Sequence, residues 1–141
     1  MSDPFDLGKY DFGAAADRGA VMRLRDAVSS EPLADKDGNP VTIHLAGQDS
    51  EAYRKAERAA SNRRLSMRSG KRITAEELEA EVIDTLARCT LGWAGIVSGG
   101  EPIPFTGGAA AKLYAQHRWI REQVEAFVAS RENFTPASLP N

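Results

Sequence analysis

The sequence predicts an α+β fold: a helix-rich single domain with about four helices and one or two small β-hairpins. Three observations predict it. Two short runs alternate apolar and polar side chains, with turn residues between them. A capping box opens a long apolar stripe at helical spacing. The 141 residues, 42% hydrophobic and 27% charged, suffice for one core and are too few for two domains of usual size.

In chain order, residues 1–18 read as a flexible lead-in, with Pro4, Gly8, Gly13 and scattered aspartates. Residues 21–26 and 41–46 read as strands. Met22 and Leu24 face one way and Arg23 and Arg25 the other; Val41, Ile43 and Leu45 likewise oppose Thr42 and His44. Asp37-Gly38 and Asn39-Pro40 mark a turn between them, giving a hairpin with a long loop.

Asp49 or Ser50 can accept from free N–H groups at a helix start, and a first helix runs to about residue 67. Tyr53, Ala56, Ala60 and Met67 share its inner side, whereas Arg54, Arg58, Arg64 and Arg68 fall on the other. Ser69-Gly70 ends it. Thr74-Ala75-Glu76-Glu77 is a capping box, in which the threonine hydroxyl and the glutamate carboxylate each satisfy an N–H of the first turn. Behind it Leu78, Val82, Leu86 and Cys89, flanked by Ile83 and Thr90, make a broad stripe that marks the core helix, and Gly92 suits the position just past its end.

Between residues 93 and 105, Ile96 and Val97, then Ser98-Gly99-Gly100, then Ile103 and Phe105 read as a short hairpin. Pro102 and Pro104 restrict its second strand to an edge or an extended arm. Two helices follow, from about 107 to 116 and from about 118 to 131, the latter with a stripe of Ile120, Val124, Phe127 and Val128. The globular part spans 19–134, and 135–141, with Pro136 and Pro140, reads as a flexible tail.

The formal net charge of -2 hides an asymmetry. Arg54, Lys55, Arg58, Arg63, Arg64, Arg68, Lys71 and Arg72 are opposed within their stretch by Glu57 alone, and Glu76, Glu77, Glu79, Glu81 and Asp84 follow. Partners are therefore read by patches. No run approaches the roughly 18 apolar residues of a membrane span, and the start lacks the pattern of a signal peptide, so the expected location is the cytoplasm where the chain is made.

No constellation supports catalysis or a cofactor. Gly107-Gly108-Ala109-Ala110-Ala111-Lys112 lacks the Gly-Lys-Ser/Thr core of a phosphate-binding loop. No Gly-x-Ser-x-Gly elbow occurs. Cys89 falls on an apolar helix face and reads as core. His44 and His117 read as surface or capping residues without metal or triad spacing. The carboxylates from Glu76 to Glu81 suit the positive end of a helix dipole.

The arginine face exceeds a bland reading. Like charges at Arg54/Arg58 and Arg64/Arg68 oppose helix formation by a few tenths of a kcal/mol per pair; an acidic partner or nucleic acid gives them a purpose, and a plain solvated face is the competing reading. That face lacks base-stacking aromatics, which disfavours single-stranded nucleic acid, while duplex phosphates remain open to it. Trp93 and Trp119, with Tyr114 and Phe127, either fill the core or line a groove for a partner helix.

Several stretches, in order, resemble one family. They are Met22-Arg23-Leu24-Arg25, the run from Val41-Thr42-Ile43-His44 through Gln48-Asp49-Ser50-Glu51 to Tyr53-Arg54-Lys55, and Ile73-Thr74-Ala75-Glu76-Glu77-Leu78. Cys89-Thr90-Leu91-Gly92-Trp93, Pro102-Ile103-Pro104-Phe105-Thr106 and Trp119-Ile120-Arg121-Glu122-Gln123-Val124 continue the order to Asn133-Phe134. Together they resemble the tail assembly chaperones of siphovirus-type bacteriophages and related prophages, over about 19–134. Gly107-Gly108 departs from the proline and polar residue expected to open the helix after Thr106.

The resemblance implies a non-enzymatic protein of the host bacterial cytoplasm, without cofactor or metal. It implies binding to the tape measure protein, with the tail tube protein as a further partner and self-association left open. The residues expected to meet a client are Arg54, Arg58, Arg64 and Arg68 on the arginine face, and Trp93 and Trp119 in an apolar groove. The competing readings are a small DNA-associated phage protein using the same arginines, and a structural tail or head-tail component.

Overall fold

The computed structural model describes residues 4–67, 70–137 and 139. Its elements are α1 (Phe12–Arg18), β1 (Ala20–Arg23), β2 (Thr42–Leu45), α2 (Glu51–Leu65), α3 (Ala75–Cys89), β3 (Thr90–Ala94), β4 (Val97–Ser98), β5 (Glu101–Pro102), α4 (Gly107–Gln116) and α5 (Arg118–Ala129). The fold is α+β, as predicted.

Strand alternation survives intact. Met22 and Leu24 are buried on one side, as are Val41, Ile43 and Leu45, while Arg23 and Arg25 are exposed. β1 pairs antiparallel with β2, Met22 opposite Ile43. The long connection is laced by its own side chains: Asp26 accepts from the N–H groups of Val28 and Ser29, and Asp35 from those of Asp37 and Asn39. These backbone donors hold both carboxyls below their ordinary range.

The sheet has a third strand that the sequence reading assigned to a helix end. β2 lies in the middle, and β3 pairs antiparallel with its other edge, Trp93 opposite Ile43 and Gly92 opposite His44. Gly92 is therefore a strand residue and not a helix terminator; its φ is not positive. Thr90, Leu91 and Trp93 favour extended backbone, so the chain passes from helix to strand without a loop. The predicted short hairpin is β4 with β5, Val97 opposite Pro102.

Part of the lead-in is helical. Asp11 accepts from the Ala14 N–H and starts α1, whose Ala15 and Ala16 are buried. Asp17 accepts from the Glu51 N–H at 2.7 Å, and the Ala16 carbonyl from the Gly47 N–H at 3.1 Å, so this helix is bonded to the start of α2. Gly19 then turns the chain into β1 at φ 82°, a value L side chains rarely adopt. The tail is likewise anchored at its beginning: the Thr135 hydroxyl donates to the Glu132 carbonyl and Pro136 is buried.

Ser50 supplies the α2 cap, accepting from the Tyr53 N–H. α2 ends at Leu65, before Ser69-Gly70; Ser69 and Arg68 lie outside the described residues. In α3 the Thr74 hydroxyl accepts from the Glu77 N–H, and the returning glutamate bond of a capping box is not formed among the described residues. α3 is the central helix, with α2, α4 and α5 all packed on it. Its C-terminal half carries the stripe inward, Leu86 and Cys89 being buried, and joins Ile43, Leu45, Tyr114, Val124 and Val128 in one core.

Candidate interaction surface

The stripe of α3 is covered only in part. Leu86 is 3% exposed, but Val82 is 37% and Leu78 43% exposed, so the N-terminal half of the core helix is open where the sequence reading buried it. α2 and α5 flank this bare stretch and form a cleft of about 560 Å³ with it. Ala60 of α2, Leu78, Val82 and Leu86 of α3, and Val128 and Ala129 of α5 give it an apolar floor. Tyr53, Glu57, Arg58, Ser61, Arg64, Glu81 and Glu125 supply the polar parts of its wall.

Two of the predicted arginines line this cleft, and both are held by carboxylates. Arg58 bridges to Glu51 at 3.1 Å, and Arg64 pairs with Glu81, to which Arg63 also approaches at 3.9 Å. Arg121 bridges to Glu79 at 3.1 Å. The acidic stretch of α3 therefore does more than face a helix dipole; Glu79 and Glu81 fasten α3 to its neighbours. Arginines so occupied are less available to phosphates, which weighs against duplex binding. The Arg58–Glu51 pair is exposed on both sides and contributes about 0–1 kcal/mol, whereas Glu81 and Arg121 each keep only about a tenth of the side chain exposed, 12% and 11%, so their pairs are partly buried.

Arg54 is exposed and lines a separate surface with Tyr10, Phe12, Asp49 and Arg131. There Arg131 grips Asp49 through two hydrogen bonds, 2.6 and 3.0 Å. The guanidinium holds the Asp49 carboxyl below the usual carboxylate range. Asp49, weighed as a cap for α2, is thus a tether for the end of α5. Arg68 lies outside the described residues.

Trp93 and Trp119 do not share a groove. Trp93 packs edge-on against Phe105, centroids 5.1 Å apart, and its Nε1–H donates to the Ile103 carbonyl at 2.8 Å, pinning the β4–β5 arm to the sheet. Trp119 lines a different cleft of about 480 Å³ with Ile96, Ile103, Lys112, Leu113 and His117. Both indoles are half-buried against the core.

Cys89 is fully buried, and burial pushes its thiol up to about 12, with a bond from Ser50 acting the other way. A thiol so held is protonated and unreactive at neutral pH. Tyr114, also fully buried, is pushed up to about 12 for the same reason, its hydroxyl 2.7 Å from the Thr90 Oγ1. His44 Nε2 lies 3.3 Å from the Arg18 carbonyl, and His117 stands exposed between α4 and α5. Among the described residues no three His, Cys, Asp or Glu side chains gather as metal ligands would, and no helix is long and apolar enough to cross a membrane.

Sequence reasoning missed Glu57 and Glu125 as wall residues, and Leu78 and Val82 as surface. The one signal for the last two lay in the segment before α3, where residues 66–73 offer a single large aliphatic side chain, Ile73, besides Met67 to cover them. No family model matches the chain, and neither curated proteins nor solved structures yielded a match to it.

Proposed function

We propose that the chain is a tail assembly chaperone of a siphovirus-type phage or prophage. In this reading it acts in the host bacterial cytoplasm, without catalysis, and holds the tape measure protein before the tail tube is built around it. The observation that carries the reading is the open apolar stretch of α3, walled by charged side chains of α2 and α5. An apolar surface left bare in a small domain and rimmed by charge is what a protein-binding site requires. The resemblance over 19–134 supplies the client's identity. A tape measure protein is long, helical and partly apolar, and a small helical protein bound in many copies would shield it until the tube protein takes over.

Co-expression with the tape measure protein encoded nearby, nuclease treatment, pull-down and light scattering test the reading. The expected result is a soluble complex with several copies of this chain per client. Absence of a complex, with nucleic acid co-purifying in the untreated sample and lost steeply with added salt, would overturn it in favour of a DNA-associated protein. Arg54→Glu combined with Arg58→Glu, in a chain that still folds, is expected to lower client solubility. Unchanged solubility removes the arginine face from the interface.

A further inference from the structure

The cleft over α3 is electrically polar along its length. At one end, where Arg58 beside Glu57 is bridged to Glu51, Glu57 of α2 and Glu125 of α5 both line it, neither in an ion pair among the described residues. Their charges reach Tyr53 between them: burial is the main influence raising its phenol, and Glu57, Cys89 and Glu125 add to it. Seven residues further along α2, Arg64 lines the cleft, and it shares Glu81 with Arg63, two cations on one carboxylate. Seven residues of helix measure about 10 Å, two turns. The floor is apolar, with Leu78 and Val82 exposed on the turns of α3 around Glu81.

From this geometry we propose that the cleft takes an amphipathic helix of the client, with an apolar stripe bounded by a basic residue at the Glu57/Glu125 end and an acidic residue at the Arg63/Arg64 end. The two charged positions are about seven residues apart on the client helix, with apolar residues three or four apart between them. A trough whose floor is one helix and whose walls are two others accepts a further helix by ordinary side-chain interdigitation. The charges then select which helix enters and in which sense. The inference rests on the proposed chaperone role for the partner's identity, and on the cleft alone for its chemistry.

Three capped twenty-residue peptides with one shared leucine stripe test it, bearing lysine and glutamate at opposite ends of the stripe, lysine at both, or glutamate at both. Fluorescence anisotropy at low salt is expected to place the mixed peptide first, by about three- to ten-fold over either other, the range that exposed ion pairs give. Glu57→Lys with Glu125→Lys makes both ends positive and is expected to move the preference to the glutamate-only peptide. Leu78→Ser with Val82→Ser is expected to weaken all three more than ten-fold, with circular dichroism unchanged, because both side chains are more than a third exposed and lie outside the buried core.

Retention of the wild-type order in the charge-reversed chain, equal binding by the serine variant, or no binding of any peptide overturns the proposal. So does a concentration-dependent dimer that the serine pair dissolves, since the occupant is then a second copy of this chain. The tape measure protein is titrated in parallel. A client complex indifferent to all four substitutions overturns the cleft assignment and leaves the chaperone role standing. Peptides bound in the expected order, with no client complex, overturn the chaperone role and leave the cleft.

Discussion

The junction of α3, β3 and α4 rests on two hydroxyl groups whose removal has a calculable cost. The Thr90 Oγ1 donates to the Leu86 carbonyl at 2.8 Å and lies 2.7 Å from the Tyr114 hydroxyl, in surroundings that leave Thr90 6% and Tyr114 0% exposed. A threonine hydroxyl has one proton, and here it is given to Leu86, so Tyr114 is the donor of the second bond. Tyr114→Phe removes that donor and strands one lone pair, at about 1–2 kcal/mol. Thr90→Val strands a donor on Tyr114 and loses the bond to Leu86, at about 2–3 kcal/mol. In the double variant neither partner is stranded by the other, so its cost falls below the sum by about 1 kcal/mol. For 141 residues the unfolding entropy is about 0.3 kcal/mol/K, and a loss of 1.5 kcal/mol lowers Tm by about 5 °C. Urea unfolding followed by far-ultraviolet circular dichroism and by the fluorescence of Trp93 and Trp119 measures all four chains. Additive costs, or a Tyr114→Phe chain within 0.5 kcal/mol of the parent, would refute the bond and its direction.

Three further outcomes are expected. Gly19→Ala places a Cβ 2.7 Å from the Leu45 carbonyl oxygen and 2.8 Å from Leu91 Cδ1 at φ 82°; with backbone strain alone at about 1–3 kcal/mol, urea melts should show a loss of at least 2 kcal/mol. Asp17→Ala removes the acceptor for the Glu51 N–H and costs about 1 kcal/mol by the same assay, whereas a flexible lead-in would cost nothing. Cys89 titrates from 9.0 in the unfolded chain and at about 12 in the fold, so its raised value stabilises nothing below pH 9 and destabilises above it. The unfolded state loses the proton first, and stability falls as pH rises from 9 toward 12, by at most about 1.4 kcal/mol per unit. Urea melts at pH 8, 9 and 10 should show a steeper fall in the parent than in Cys89→Ala, which keeps the raised phenols of Tyr53 and Tyr114; equal slopes in the two chains would refute it.

The fold was legible wherever a local period and a local cap coincided. Ser50 and Thr74 begin α2 and α3, each by a bond that sequence order alone defines. α1 had no such period, because seven residues rich in alanine reveal no apolar face until α2 is placed beside them. The third strand was hidden for a related reason. A glycine after an apolar stripe fits both a helix terminus and a strand, and the choice belongs to β2, whose free edge pairs with β3, Trp93 opposite Ile43.

The interaction surface was less legible because periodicity reports which side of a helix is apolar and not whether anything covers it. Leu78, Val82, Leu86 and Cys89 form one stripe in the sequence, yet the core claims only its second half. What divides them is the reach of neighbouring elements. Leu86 joins residues of the sheet and α4 in one cluster, while Leu78 and Val82 stay at the floor of the cleft between α2 and α5, where Arg63 and Arg64 are fastened to Glu81 and Arg121 to Glu79. The arginines singled out for a partner thus have a structural task first, which is to set the walls of the cleft. Their bearing on a client follows from that: a substitution such as Arg64→Ala acts by releasing Glu81 into the cleft as well as by removing a positive charge, so its effect on binding should exceed that of Arg54→Ala, which lies outside the cleft.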